Sequence, residues 1–205
     1  MRLAVILALL LTPTLAMAKA NFYAQTNHFA LKKGEEWSWD KVAKTPNIKW
    51  HNKKPQKNPS FSSYDVNGGM GKYGSLSASG SKAKPTIIQF SSSQAYAESE
   101  NGANVYTLHQ LFNKAELTKI KSNCSVDTNS NRMASGEYQH FYKWQKKGHQ
   151  PLYVAVRRFE AGTFSGGIIM NYIIAKDFNN FNQEYIYDLE RFDSNGDEIT
   201  CRMLK

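Results

Sequence analysis

Alternation of apolar and polar positions predicts three strands in the second half of the chain. Residues 137–145 and 152–159 each carry larger or apolar side chains at every second position, which is the period of a strand with two different faces. Residues 167–176 are apolar at successive positions, which is typical of a central strand covered on both faces. In the first segment, the side chains that share a face are Tyr138, His140, Tyr142 and Trp144.

Shorter patterns predict the remaining elements. Pro85 opens a short strand, and residues 105–120 carry apolar side chains at helical spacing, although part of this segment also fits alternation. Residues 184–192 and 199–204 predict two further strands. Together these elements predict an α+β fold that is mainly β. We expect an antiparallel meander of five or six strands, flat or curled into an open barrel, with one packed helix and one disulfide.

The segment FDSNGDEI, residues 192–199, fits either a hairpin turn or a calcium loop. Asn195-Gly196 between two alternating segments is a strong hairpin signal, because both residues tolerate positive φ. An EF-hand loop that begins at Asp193 would need Gly at its sixth position and an acid at its twelfth, where Leu204 stands. The hairpin is the preferred interpretation. A weak surface cation site is the alternative, on Asp193, Asp197 and Glu198.

The segment from residue 19 to residue 85 has few aliphatic side chains. Between Ser60 and Ser81 there are seven Ser and five Gly, and such a composition buries too little apolar surface to offset the entropy cost of ordering. We therefore expect residues 19–85 to form a mobile arm and residues 86–205 to form the folded domain. Three tryptophans of the arm either stabilise local structure or dock on a partner, namely Trp37, Trp39 and Trp50.

The first eighteen residues, MRLAVILALLLTPTLAMA, have the pattern of a secretory signal peptide. Arg2 precedes an apolar run, and Ala16-Met17-Ala18 provides a small-x-small cleavage site. The alternative is an uncleaved anchor, but the run is shorter than the ~20 apolar residues that a membrane-spanning helix needs. We expect cleavage before Lys19, no membrane span, and export to the periplasm or the medium.

Two cysteines, Cys124 and Cys201, predict one disulfide, because an exported chain with an even cysteine count usually pairs them. The bond would close a loop of 201 − 124 = 77 residues, which contributes roughly 4 kcal/mol in the chain-entropy model. The alternative role, a catalytic thiol, is disfavoured by an oxidising compartment.

Positive charge is concentrated in residues 19–85. This segment has twelve Lys and four acidic residues, a net charge of 12 − 4 = +8, whereas residues 86–205 have thirteen basic and thirteen acidic residues. Lysines interleaved with aromatic rings suit a protein or a polyanion, such as an envelope polymer, an anionic membrane surface or extracellular nucleic acid. The alternative is a solvated lysine-rich arm with no dedicated ligand. The segment has no Arg and no basic helical face, so sequence-specific nucleic-acid binding is not expected. The candidate partner-binding residues are Trp37, Trp39, Trp50, Lys53, Lys54, Tyr142, Trp144, Lys147 and His149.

Catalytic motifs are missing from the sequence. It contains no GxSxG elbow, no HExxH pair and no Walker loop, so we predict no catalytic residue, no metal ligand and no cofactor. The primary expectation is a non-enzymatic binding protein of the cell envelope or secretome, inhibitor-like or immunity-like. The alternative is a small secreted hydrolase that assembles an acid–base pair from distant residues such as His140, His149 and Asp188.

Residues 135–148, SGEYQHFYKWQKKG, loosely resemble the SGxxY and YxxxxxKG motifs of the periplasmic C-type lysozyme inhibitors, which are small disulfide-linked β-barrels. Tyr138 stands one residue earlier than the first motif requires, and Phe141 replaces the Tyr of the second. The resemblance implies that Ser135 and Lys147 would enter the cleft of a lysozyme. C-type lysozymes are strongly basic, so the positive charge of residues 19–85 opposes binding to them.

Overall fold

The computed structural model describes residues 22–95, 107–127, 135–161 and 167–181. These residues form three short helices and nine strands. The helices are α1 (Tyr23–His28), α2 (Trp39–Ala43) and α3 (Leu108–Leu111). The strands are β1 (Lys49–Trp50), β2 (Gln56–Lys57), β3 (Tyr64–Gly69), β4 (Ser75–Gly80), β5 (Pro85–Ala95), β6 (Leu117–Asp127), β7 (Ser135–Trp144), β8 (Leu152–Ala161) and β9 (Gly167–Ala175).

All nine strands belong to one antiparallel sheet. The strand order is β1-β3-β4-β5-β9-β8-β7-β6, and β2 also pairs with β3. Two sets of sequential strands therefore meet where β5 pairs with β9, over nine residue pairs from Ile87↔Ala175 to Ala95↔Gly167. In the described part of the chain, the two outer edges do not pair with each other. The sheet is open.

The larger hydrophobic core lies between one face of the sheet and residues 22–42, which we call the N-terminal layer. Phe29 of this layer is fully buried and packs edge-to-face on Phe90 of β5, with ring centroids 6.1 Å apart. Alternate residues of the strands supply the other side of the core, as expected for a sheet with one covered face. Its buried sheet residues are Val66, Leu76, Ala78, Ile88, Phe90, Trp144, Leu152, Val154, Val156, Tyr172 and Ile174.

Hydrogen bonds fix the N-terminal layer to the rest of the chain. The Phe22 N–H donates to the Gln110 carbonyl at 2.9 Å, and the Gln150 N–H donates to the Leu31 carbonyl at 2.8 Å. Inside the layer, the buried indole N–H of Trp37 donates to a backbone carbonyl at 2.8 Å. Because these bonds satisfy polar groups at the start and in the middle of the layer, it can bury its apolar side chains beside them.

Local sequence explains where the helices and the β3–β4 turn lie. α2 begins at Ser38, whose side chain accepts from the Lys41 N–H at 3.1 Å. α3 begins with a capping box formed by Thr107 and Gln110. Gly74, in the turn before β4, has φ +110°, and a Cβ there would collide with the β5 backbone. Glycine therefore permits the close approach of this turn to β5.

A smaller cluster covers part of the opposite face of the sheet. Phe141 and Ile173 are fully buried beneath Phe181 and the 3-10 turn Phe178–Asn180. The ring centroids of Phe141 and Phe181 lie 5.8 Å apart. Near the β5–β9 pair this face is polar, and side chains there hydrogen-bond to one another, namely Gln89, Ser91 and Asn171.

The segment expected to be a mobile arm is part of the sheet and the core. β3 and β4 occupy the Ser- and Gly-rich residues 60–81. Within them Val66, Leu76 and Ala78 are buried and alternate with small polar residues. Overall composition misleads here, because a strand with one covered face needs an apolar side chain only at every second position, and backbone pairing satisfies the rest.

The mainly β, antiparallel class is confirmed, but the number of elements differs from the expectation. The sheet has nine strands rather than five or six, and there are three short helices rather than one. The strands predicted from residues 137–145, 152–159 and 167–176 are confirmed as β7, β8 and β9. Also as predicted, β9 is central, between β5 and β8.

The helix predicted over residues 105–120 is wrong beyond its first turn. α3 ends at Leu111, and β6 begins at Leu117 and pairs with β7 as far as Asp127. Residues 117–120 of this segment join the sheet instead, because β7 offers them backbone partners. Leu108 and Phe112, which also fit alternation, lie in α3 and directly after it.

Several predictions fall outside the described residues. These are the signal peptide at 1–18, the strands at 184–192 and 199–204, the hairpin at 192–199, and Cys201. Cys124 lies in β6, opposite Tyr138 of β7. The disulfide between the two cysteines therefore stays a prediction.

Removing the Phe29 ring tests whether the N-terminal layer shares the core. In the chain beginning at Lys19, Phe29→Ala is expected to lower the free energy of unfolding by about 3–5 kcal/mol, because it leaves a cavity beside Phe90. Phe61→Ala is the matched control, since Phe61 also lies within residues 19–85 but its side chain is 62% exposed. It should change stability by less than about 0.5 kcal/mol. Urea denaturation measures both, and equal effects would contradict a shared core.

Candidate functional site

The tryptophans predicted to contact a partner serve the core. Trp37, Trp39 and Trp144 are only 3%, 9% and 2% exposed, and Trp50 is half-buried against the same core. The Trp144 indole N–H donates to the Glu116 carboxylate at 2.9 Å. The three buried rings have no free face for a partner, so their role is to stabilise the fold.

The rings of Tyr142 and Trp144 on β7, named as candidate partner contacts, pack against the larger core. Tyr142 is half-buried against the larger core, and burial raises the pKa of its hydroxyl. Lys147 and His149, also named as candidate partner contacts, lie in the turn between β7 and β8. Lys147 is exposed, and a ring N–H of His149 donates to its carbonyl at 3.0 Å. These two residues therefore flank no exposed ring of Tyr142 or Trp144.

An exposed cluster of lysines lies where β1 and β2 border the sheet. We call Lys49, Lys53, Lys54 and Lys57 the lysine edge. All four are exposed, and none forms an ion pair with the described residues. Residues 41–64 contain no acidic side chain. The lysine edge therefore presents uncompensated positive charge to solvent. The sequence predicts Lys53 and Lys54 as partner contacts within the basic stretch KWHNKKPQK, residues 49–57, and the structure adds Lys49 and Lys57 from the same stretch.

Strand pairing concentrates this charge. β1 and β2 lie one after the other along β3, with Lys49 opposite Gly69 and Lys57 opposite Tyr64. These two pairings are 69 − 64 = 5 residues apart on β3, or about 17 Å along the strand. This span is about two Debye lengths at physiological salt, and Lys53 and Lys54 lie in the segment that joins the two strands, so the four lysines can contact successive charges of one polyanion.

A cleft of about 630 Å³ lies beside the N-terminal layer, near the ends of β5 and β9. Glu36 stands in it between Lys84, at 3.3 Å, and Lys176. The hydrogen bond from Lys176 lowers the pKa of Glu36, and Lys84 acts in the same direction. Asp177 accepts from the Asn179 N–H at 2.9 Å. Because both of its lysines already pair with Glu36, this cleft is a weaker candidate for binding an anion than the lysine edge.

The two histidines considered for acid–base chemistry lie apart. His140 is opposite Val156, and His149 lies beyond the Trp144↔Leu152 pair that ends the strands. Four residues of strand separate these two pairings, which places the histidines at least about 13 Å apart. The third residue of that hypothesis, Asp188, lies outside the described residues.

His140 instead contacts Ser122 across the β6–β7 pair. Its Nδ1 lies 2.8 Å from the Ser122 hydroxyl, the distance at which a nucleophile and its base interact. Burial, and then the charge of Lys119, lowers the pKa of His140. Among the described residues no acidic side chain hydrogen-bonds to this imidazole. The described residues thus complete no catalytic triad here.

The residues implied by the lysozyme-inhibitor resemblance are also far apart. Ser135 begins β7, and Lys147 lies beyond Trp144, at its other end. Nine residues of strand between Ser135 and Trp144 span about 30 Å. The backbone therefore places these two positions toward opposite ends of β7.

Comparisons with protein-family models, curated proteins and solved structures gave no match to this chain. Across the residues that the structure describes, no three His, Cys, Asp or Glu side chains are grouped so as to hold a metal ion. Over the same residues, no helix combines the length and apolar character needed to cross a membrane.

The lowered pKa of His140 predicts how stability depends on pH. Below its ordinary pKa of 6.5, the unfolded chain binds this proton more readily than the folded one, so stability should fall as the pH drops through that value. His140→Gln removes this contribution. The loss of stability between pH ~7.5 and pH ~5, measured by urea denaturation, should be smaller in the variant. Identical losses in both proteins would contradict the assignment.

Proposed function

We propose that this chain is an exported, non-enzymatic binding protein that holds an anionic polymer of the cell envelope at the lysine edge. The observation that carries the proposal is the set of four exposed lysines that form no ion pair with the described residues, within a sequence of 24 residues (41–64) that lacks any acid. Like charges gathered on one rim repel one another, and a polyanion relieves that repulsion. Export rests on the predicted signal peptide.

A surface built on strands suits such a partner. Lys49 and Lys57 lie on short strands that pair with β3, and Lys53 and Lys54 lie in the short segment that joins these strands, so the charges are held by the sheet rather than by a free tail. A preformed surface loses less conformational entropy on binding than a disordered segment does. This favours binding by the folded lysine edge over binding by the mobile arm that composition predicts.

The same lysines have a second physical explanation. Charged side chains on an edge strand discourage two sheets from pairing edge to edge. That role predicts self-association when the lysines are removed, with no change in affinity for a polyanion. Binding and oligomeric state must therefore be measured on the same variants.

Replacing the lysine edge tests the proposal. The chain beginning at Lys19 is compared with a variant in which Lys49, Lys53, Lys54 and Lys57 are changed to Gln, using dextran sulfate as the polyanion and neutral dextran as the reference. The variant should bind dextran sulfate at least ~tenfold more weakly at low salt, because it loses four exposed charge contacts. The difference should shrink as salt rises.

A control of equal net charge separates this site from general attraction. Lys32, Lys33, Lys82 and Lys114 are exposed elsewhere on the molecule, and changing them to Gln should weaken binding less than ~threefold. Equal losses in the two variants would contradict a dedicated site. Unchanged binding with new self-association would favour the edge-protection explanation instead.

A further inference from the structure

A second concave surface lies on the face of the sheet opposite the larger core. It is a groove of about 490 Å³ between the outer side of β3 and β4 and the loop of residues 58–63. Its volume falls in the range of small-molecule sites. The loop is closed by a hydrogen bond from the Asn58 N–H to the Ser63 carbonyl at 2.9 Å, and its Ser60 N–H donates to the Asn58 side chain at 2.9 Å. The groove therefore has a defined wall.

One carboxylate is held in position within this groove. Asp65 accepts from the Asn58 amide at 2.6 Å through one oxygen and from the Ser63 hydroxyl at 3.1 Å through the other. A carboxylate has about four lone-pair sites, so this arrangement leaves about two of them for a ligand. Lysine does not neutralise it, because no ion pair to Asp65 occurs among the described residues.

The remaining lining is polar but uncharged. The side chains of Ser62, Ser77, Ser79 and Asn67 border the groove, and the described residues provide no hydrogen-bond partner for them. Hydroxyl and amide groups both donate and accept. Phe61, which is 62% exposed, adds an apolar ring to the same groove.

We propose that this groove binds a saccharide unit. A sugar presents hydroxyl groups around its rim and C–H groups on its ring faces. The hydroxyls match the Asp65 carboxylate and the free Ser and Asn groups, while an aromatic ring such as Phe61 suits the C–H face. A single carboxylate with no cation beside it disfavours an anion inside the groove itself, so the bound unit is neutral.

The groove and the lysine edge are built on the same strands. β2 carries Lys57 and pairs with β3 at Asp65, so an envelope polymer made of sugars and acidic groups could reach both. In this respect the inference deepens the proposed function, but binding of a neutral sugar does not require the lysine edge.

An array of neutral and acidic oligosaccharides tests the groove. The chain beginning at Lys19 is applied at a salt concentration of about 1 M, where charge interactions are screened beyond about 3 Å. It should bind neutral oligosaccharides there. Phe61→Ala and Asp65→Asn should each weaken binding at least ~tenfold, while the four-Lys→Gln variant of the lysine edge should match the unmodified chain. Phe159→Ala is the control for an exposed Phe outside the groove, with 38% exposure, and should have no effect.

The outcomes for the two surfaces are separable. If the unmodified chain captures no neutral oligosaccharide, or if both groove variants bind as it does, the saccharide inference is overturned. Binding to dextran sulfate at low salt then still decides the lysine edge. Loss of sugar binding in Phe61→Ala with unchanged urea denaturation would exclude misfolding as the cause.

Discussion

The structure depends on the antiparallel pairing of β5 with β9. Residues about 80 positions apart in sequence meet there, and this pair alone joins β1–β4 to β6–β8 in the described sheet. On the face of the sheet opposite the larger core, the Ser91 hydroxyl donates to the Asn171 side-chain oxygen at 2.7 Å and reinforces the β5–β9 pair. So distant a contact carries a large loop-closure cost, which must be offset by burial at the same place. The residues buried there are Ile88, Phe90, Tyr172 and Ile174.

The N-terminal layer provides that burial. Phe29 covers Phe90, and Glu36 pairs with Lys84 beside the start of β5 and with Lys176 beside the end of β9. Exposed ion pairs contribute little to stability, so the apolar contacts must carry most of the energy. The N-terminal layer covers the place where β5 pairs with β9 and the two halves of the sheet join. We therefore expect residues 22–42 to fold together with the sheet. The lysine edge and the groove beside Asp65 both lie on this folded sheet.

Sequence patterns predicted the second half of the sheet better than the first. β7, β8 and β9 are long and clearly alternating or apolar, so local periodicity was sufficient. β3 and β4 were not predicted, because Ser and Gly fill the positions that face away from the larger core. These strands are stabilised by backbone pairing with the strands beside them. Trp37 and Trp144 were interpreted as candidate partner contacts because composition does not show that distant strands form a core around them.

The candidate surfaces were only partly predictable. A run of lysines without acids was visible in the sequence, but its placement on a sheet rim required the pairing of β1 and β2 with β3. The groove was not predictable at all, because Asn58 and Ser77 become neighbours only through the β2–β3–β4 arrangement.

Native-state hydrogen exchange tests most directly whether both halves of the sheet form one cooperative unit. Amides in the centres of β4 and β9 should exchange with the same free energy, that of global unfolding. Exchange in β4 at a much lower free energy, with β9 still protected, would contradict a single cooperative core.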